Sequence, residues 1–208
     1  MKLFGGVDAS NVQKKILKMT FTVYQPTGIL ERIKMFASSL TETDHCHRLE
    51  RFNSLVARHS NLLSRTCYFY AYNADDYHEM RQDTLINIWR GIDSFRGECA
   101  ESTWIYRVCI NTCISSLRRK SRRGRKCVPL SALYESVPDS NPEEDIRVEQ
   151  LHRLISRLGA EDRAIIMMWL DEMPYEDIAS VMGLGRNTIA TRLRRIKQKL
   201  TTFKQSQQ

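Results

Sequence analysis

The chain has little that breaks a helix. Only nine glycines and five prolines are spread over 208 residues, and between residues 48 and 123 the sole glycines are Gly91 and Gly97, with no proline at all. That segment reads as successive helices, and no alternating apolar run anywhere is long enough to argue for a sheet. Its six cysteines (Cys46, Cys67, Cys99, Cys109, Cys113, Cys127) include no Cys-x-x-Cys pair. No secretory segment accompanies them, so the expected setting is a reducing cytoplasm. Long apolar stretches are missing as well. The longest uncharged run near the start, Met19 to Leu30, is interrupted by Pro26, and nothing is expected to span a membrane. His45, Cys46 and His47 are adjacent and point in divergent directions, so no metal and no cofactor are expected.

Two stretches lack acids altogether. Residues 105–126 hold Arg107, Arg118, Arg119, Lys120, Arg122, Arg123, Arg125 and Lys126, and residues 186–204 hold seven more basic residues. The remainder of the chain keeps 17 basic residues against 24 acidic ones, so a net charge of +8 conceals two basic blocks on a mildly acidic background. That segregation suits a polyanion held at two places.

Proline and glycine divide the rest. Residues 1–47, with Gly5, Gly6, Pro26 and Gly28, show no sustained period and read as a poorly ordered leader, in which Met35 is a second candidate start. Residues 48–123 form one helical domain. Residues 124–146 gather Gly124, Pro129, Pro138, Asn141 and Pro142 with five acids and read as a flexible acidic linker. Residues 147–204 form a second helical domain. The expected fold class is therefore all-α, two small helical domains on one chain.

The second domain carries the most legible motif. Pro174 suits a first helical position, Glu176 and Asp177 favour the positive end of that helix, and Ile178, Ala179 and Met182 form its inward stripe. Gly183 suits the left-handed residue that ends it. A second stripe follows, Ile189, Leu193, Ile196 and Leu200, at helical spacing. A helix-turn-helix results. Opposite that stripe stand Asn187, Thr191, Arg194 and Gln198, flanked by Arg192 and Arg195, with no acid among them. Asn reads adenine, Arg reads guanine and Thr touches a thymine methyl or a phosphate, while Arg186, Lys197 and Lys199 are placed to hold the DNA backbone. Leu151, Leu154, Ile155, Leu158, Ile165, Ile166, Trp169 and Leu170 supply the supporting core. Gly183-Leu184-Gly185 lacks the residues of a phosphate loop.

In the first domain Leu85, Ile88, Trp89 and Ile92 share one helical face, and Glu79, Gln82, Asp83 and Arg90 another. A polar loop from Glu98 to Thr103 then leads into the helix from Trp104, where Tyr106, Cys109, Ile110, Cys113 and Leu117 face inward and Arg107, Asn111 and Arg118 outward. Asp75-Asp76 looks like a helix start and Glu143-Glu144-Asp145 falls in the linker. Neither is read as a catalytic metal pair, and the chain is not expected to be an enzyme.

Over about residues 48–202 these motifs together resemble the extracytoplasmic-function group of the sigma-70 superfamily. Glu79-Met-Arg-Gln-Asp-Thr-Leu followed by Trp89 is similar to that group's helix for docking on the polymerase clamp. Trp104-Ile-Tyr-Arg, Asn111 and Leu117-Arg-Arg are similar to its −10 helix, and Pro174 to Leu200 to its −35 domain. The resemblance implies a sigma factor whose partners are core RNA polymerase and promoter DNA, with duplex −35 and single-stranded −10 elements, and it implies an anti-sigma factor as a common further partner.

It assigns polymerase binding to Glu79, Gln82 and Asp83. Contacts to −10 DNA fall on Arg96, Ser102, Trp104, Arg107, Asn111, Arg118 and Arg119, and contacts to −35 DNA on Arg186, Asn187, Thr188, Thr191, Arg192, Arg194 and Arg195. The acidic linker resembles the group's connector through the polymerase. Departures are Gly185 where serine is common, Asn187 and Ala190 where glycine and lysine are frequent, and Arg81 in place of an aliphatic residue. A helix-turn-helix regulator that binds DNA without joining polymerase is the alternative, and it leaves the Glu79 to Trp89 and Trp104 to Arg119 segments without a role.

Overall fold

The structure is a computed structural model that describes residues 42–122 and 142–205, with side chains over 46–121, 149–203 and at 205. Most of the expected leader and linker, Met35, Cys127 and the end of the first basic block lie outside the described residues. Among the described residues all regular structure is helical: α1 Glu42–Arg58, α2 Ser60–Tyr70, α3 Ala74–Gly91 with a 3-10 turn Ile92–Ser94, α4 Glu101–Arg122, α5 Pro142–Ser156, α6 Ala160–Leu170, α7 Tyr175–Met182 and α8 Arg186–Gln205. No described helix is long and apolar enough to cross a membrane.

Local chemistry explains where these helices begin and end. Asn73, in extended backbone, accepts the amide of Asp76 on its Oδ1 at 2.8 Å and caps α3, while Asp75 and Asp76 sit at the positive end of that helix. Gly183 adopts φ 66° and ψ 32° after α7, and the amide of Leu184 returns to the carbonyl of Ala179 at 3.0 Å. That six-residue closure satisfies an end carbonyl, and the left-handed backbone is one that glycine takes without a Cβ penalty.

Four boundaries differ from the sequence reading. Helix α1 starts at Glu42 and α5 at Pro142, inside the stretches read as leader and linker. Helix α4 starts at Glu101, so Ser102 and Thr103 are helical rather than part of a loop. Glu101 is held there by the guanidinium of Arg58 at 3.0 Å and faces His59 at 3.4 Å. Pro174 is the residue before α7 rather than its first helical position, and Val181 joins Ile178 and Ala179 as buried while Met182 is half-buried against the core.

Helices α1 to α4 enclose one part of the core. Trp89 is buried edge-on against Phe52, with centroids 5.4 Å apart, under the guanidinium of Arg48 at 4.3 Å. Leu85, Ile88 and Ile92 from α3 and its turn meet Ile105, Tyr106, Cys109, Ile110 and Cys113 of α4, all essentially without exposure. Each such aliphatic side chain contributes roughly 1.5–3 kcal/mol by leaving water. The C-terminal helices close on Ile189, Leu193, Ile196 and Leu200 in the same way.

The two helical units also pack on one another, through α5, α6 and α7 against α2 and α4. Arg163, only 2% exposed, donates from Nη1 to the carbonyl of Phe69 at 3.1 Å and from Nη2 to that of Ser156 at 2.7 Å. Tyr70 donates its hydroxyl to the carbonyl of Ala160 at 2.6 Å. The Nε2 of His152 faces the carbonyl of Tyr68 at 3.2 Å, and Arg65 pairs with Asp171. A carbonyl only accepts, so Nε2 of His152 carries the proton. Burial first, and the charge of Arg163 second, lower this imidazole to about 4.

Candidate nucleic-acid interface

Helix α8 offers an exposed face without an acid. Ile189, Leu193, Ile196 and Leu200 are buried against α6 and α7, which leaves Asn187, Thr188, Thr191, Arg194, Arg195 and Gln198 exposed on the other side. Two of the expected DNA contacts are engaged within the protein. Arg192 is half-buried, with its guanidinium 3.1 Å from Glu161 and 3.0 Å from Asp162 at the start of α6. Arg186 donates to Glu176 at 2.5 Å across the turn. Lys199 also reaches Asp162, at 3.1 Å, and the ammonium of Lys197 lies 3.6 Å from the ring centroid of Trp169. Burial of that ammonium lowers its pKa. The carboxylates of Glu161 and Asp162 thus orient the basic side of α8 as well as sitting at the positive end of α6.

The residues expected at the −10 element divide into two groups in space. At one end Trp104, half-buried, stacks on Phe95 with centroids 5.1 Å apart, and packs so closely on Gly91 that a Cβ there would meet its ring at 3.2 Å. Arg96 beside it is exposed, Gly97 turns the chain at φ 77°, and Ser102 lies half-buried at the start of α4. An aromatic pair next to a cation and a turn can stack on an unpaired base while a phosphate is held.

Along α4 the second group, Arg107, Asn111, Arg118 and Arg119, is distributed differently from the sequence reading. Asn111 and Arg118 are exposed. Arg107 is turned toward α7 and donates to both the carbonyl and the hydroxyl of Ser180, at 2.9 and 3.1 Å. Arg119 is bonded to Glu79 at 2.9 Å and Asp83 at 3.2 Å.

That last contact joins two residue sets that the sequence kept apart. Glu79 and Asp83, expected to meet the polymerase, meet Arg119 of the DNA set. Lys120, buried, adds ion pairs to Asp76 at 2.7 Å and to Glu79 at 2.9 Å. Hydrogen bonding from Lys120 is the chief cause that lowers the pKa of Glu79, so its carboxyl stays charged. Gln82 is half-buried on the same helix. Between α3 and α4 an open groove of about 340 Å³ is lined by Asp83, Asn87, Asn111, Thr112, Ser115 and Arg119. Asn87 donates to the hydroxyl of Thr112 across its floor at 2.9 Å. Asn87 and Ser115 were not anticipated; each lies four residues from an expected site residue, Asp83 and Asn111, and helical spacing alone would have flagged them.

The sequence matches the family model of sigma-70 region 2 over residues 55–123 and that of sigma-70 region 4 over residues 148–200. Among curated relatives, the ECF RNA polymerase sigma factor SigM of Mycobacterium tuberculosis is 28% identical over 151 residues, covering 72% of this chain and 74% of that protein. The ECF RNA polymerase sigma-E factor of Escherichia coli is 29% identical over 164 residues, covering 71% of this chain and 83% of that protein.

Two solved structures share the fold. CnrH in complex with the cytosolic domain of CnrY has a TM-score of 0.55 and 20% identity over 76% of this chain and 89% of the other. The sigma factor RpoE in complex with the anti-sigma factor NepR from Bartonella quintana has a TM-score of 0.55 and 19% identity over 78% of this chain and 96% of the other. With both family regions in order, joined to an acid-free recognition face and a basic α4, the chain belongs to the extracytoplasmic-function group of the sigma-70 family and directs promoter-specific transcription initiation.

Proposed function

We propose that residues 48–123 dock on the polymerase clamp and read and melt the −10 element, that residues 147–204 read the −35 element, and that 124–146 tether the two. The observation that carries this reading is the exposed face of α8, where Asn187, Thr191, Arg194 and Arg195 stand free of acids over a fully buried stripe. Arg192 has a different role from these. Its ties to Glu161 and Asp162 make it a strut that sets the helix angle, and Arg186 meets phosphate only by exchanging Glu176 for it. Trp104, Phe95, Arg96 and Ser102 capture an unpaired −10 base, with Asn111 and Arg118 on the adjoining strand. Opening the duplex costs on the order of 1–2 kcal/mol per stacked step, so these contacts act together.

Glu79, Gln82 and Asp83 face the polymerase, and Arg119, paired only at the surface with Glu79 and Asp83, is released to DNA when the promoter is engaged. Arg107 cannot serve DNA while it is bonded to Ser180, so α7 leaves α4 when the promoter is engaged. The chain itself makes and breaks no bonds; the polymerase does, in the cytoplasm where both are found. An anti-sigma factor is the natural holder of the closed arrangement, a reading supported by the fold shared with CnrH bound to CnrY and RpoE bound to NepR.

Gel filtration with purified core polymerase tests the docking assignment. Co-elution that is weakened in the Gln82→Ala/Asp83→Ala variant is expected, and unchanged co-elution would move the polymerase contact elsewhere.

A further inference from the structure

Three cysteines from two helices converge in the centre of the N-terminal unit, away from every surface assigned above. Cys67 of α2 and Cys109 and Cys113 of α4 are each 0% exposed, and their sulfurs all lie within 4.8 Å of one another. Cys67 and Cys109 have their sulfurs 3.9 Å apart. Thr84 of α3 points its hydroxyl into the same space, 3.9 Å from the Cys67 sulfur and 4.0 Å from that of Cys109, while donating to the carbonyl of Met80 at 2.8 Å.

Three small apolar residues would fill this volume. Thiols add something such residues do not, a set of soft donors already at coordination spacing. A metal–sulfur bond of about 2.3 Å puts sulfurs about 3.8 Å apart in a tetrahedral site and about 4.0 Å apart in a trigonal one. The trio therefore needs side-chain rotation and little backbone movement to close on an ion.

The donors present select the ion. No carboxylate or imidazole belongs to the cluster, so a hard cation has nothing to bind, and thiolates without oxygen or nitrogen partners favour a soft d10 ion. Three sulfurs with the Thr84 hydroxyl as a neighbour match a three-coordinate ion rather than zinc, which takes four ligands. We propose that Cys67, Cys109 and Cys113 form a buried trigonal site for Cu(I), clamping α2 to α4 beneath the −10 face. Binding displaces the thiol protons to the buffer. No electron is transferred, so the copper must enter already reduced.

The test uses the full chain, reduced and under argon, titrated with Cu(I) against a colorimetric Cu(I) chelator. The Cys46→Ser/Cys99→Ser/Cys127→Ser variant, which keeps only the inner trio, is expected to retain one equivalent with an ultraviolet sulfur-to-copper band. X-ray absorption of that sample is expected to show three sulfur neighbours at about 2.3 Å. The Cys109→Ala/Cys113→Ala variant is expected to bind at least tenfold more weakly. Should that variant fail to fold, the absorption spectrum of the first decides alone. Failure of the inner-trio variant to hold copper, oxygen or nitrogen neighbours in its spectrum, or equal retention by a folded Cys109→Ala/Cys113→Ala protein, would each overturn the proposal.

Discussion

Arg107 of α4 donates to the main-chain carbonyl of Ser180 at 2.9 Å and to its hydroxyl at 3.1 Å, linking the helix proposed to face −10 DNA to the first helix of the helix-turn-helix. The family resemblance gives that arginine to the promoter, and the structure gives it to the protein's other half. Both hold only if the two halves separate when DNA is engaged.

The seam should therefore be weakened by changes that leave both DNA faces intact. Asp171 is 10% exposed and its partner Arg65 14%. Removing the carboxylate leaves a largely buried guanidinium without its counter-charge, which costs about 2–3 kcal/mol. Asp171→Ala is expected to raise the radius of gyration measured by small-angle scattering and to split a single thermal transition into two. An unchanged scattering profile would mean the seam is held elsewhere.

His152 makes the same seam pH-dependent. Its folded-state pKa of about 4 lies below the ordinary 6.5, so the unfolded or opened form binds the proton more readily. Its contribution is fully present above about pH 6.5, falls as the pH drops toward 4 by at most about 1.4 kcal/mol per unit, and is lost below that. Chemical denaturation at pH 7.5 and pH 5 should show a loss in the wild type that is smaller in His152→Phe. Parallel pH profiles for the two proteins would rule out this histidine as the source.

On α8 the structure separates two kinds of arginine. Arg195→Ala and Thr191→Ala are expected to cost roughly 1–3 kcal/mol of −35 discrimination, about fivefold to 150-fold, with no change in thermal stability. Arg192→Ala instead removes the ties to Glu161 and Asp162 and is expected to lower the melting temperature of the C-terminal unit. Promoter binding with scrambled −35 sequences, alongside calorimetry, distinguishes them. A purely specificity-altering Arg192→Ala would contradict the strut.

The cluster of Glu79, Asp83, Arg119 and Lys120 yields a further expectation. Glu79, Asp83 and Arg119 are each about two-fifths exposed, so their pairs add only about 0–1 kcal/mol to stability. Arg119→Ala should leave the fold and the affinity for core polymerase nearly unchanged while reducing −10 opening, read as permanganate reactivity of unpaired thymines. A large drop in core affinity would make Arg119 an organiser of the docking face instead.

What the sequence revealed follows from how local the causes are. The turn at Gly183, the α8 stripe and the helix start at Asp75-Asp76 rest on residues within a few positions of each other, and spacing reports them. The seam rests on Arg163 and Phe69, 94 positions apart, and on His152 and Tyr68, 84 apart. Nothing adjacent to Arg163 distinguishes it from a solvated helix arginine. Cys109 and Cys113 were legible as inward-facing neighbours on α4, whereas Cys67 joins them only through the packing of α2. Glu101 was read as loop because polar composition hides the anchoring that Arg58 and His59 provide from α1 and the residue that follows it.

Run-off transcription on a template carrying matched −35 and −10 elements tests the central claim most directly. Core polymerase alone, this chain alone and the two together are compared, with a second template in which the −10 element is scrambled. A transcript of defined length made only by the combination, and lost on the scrambled template, is the predicted result. Tight duplex binding by the chain alone, with no transcript when core is added, would contradict it and leave a regulator that never joins polymerase.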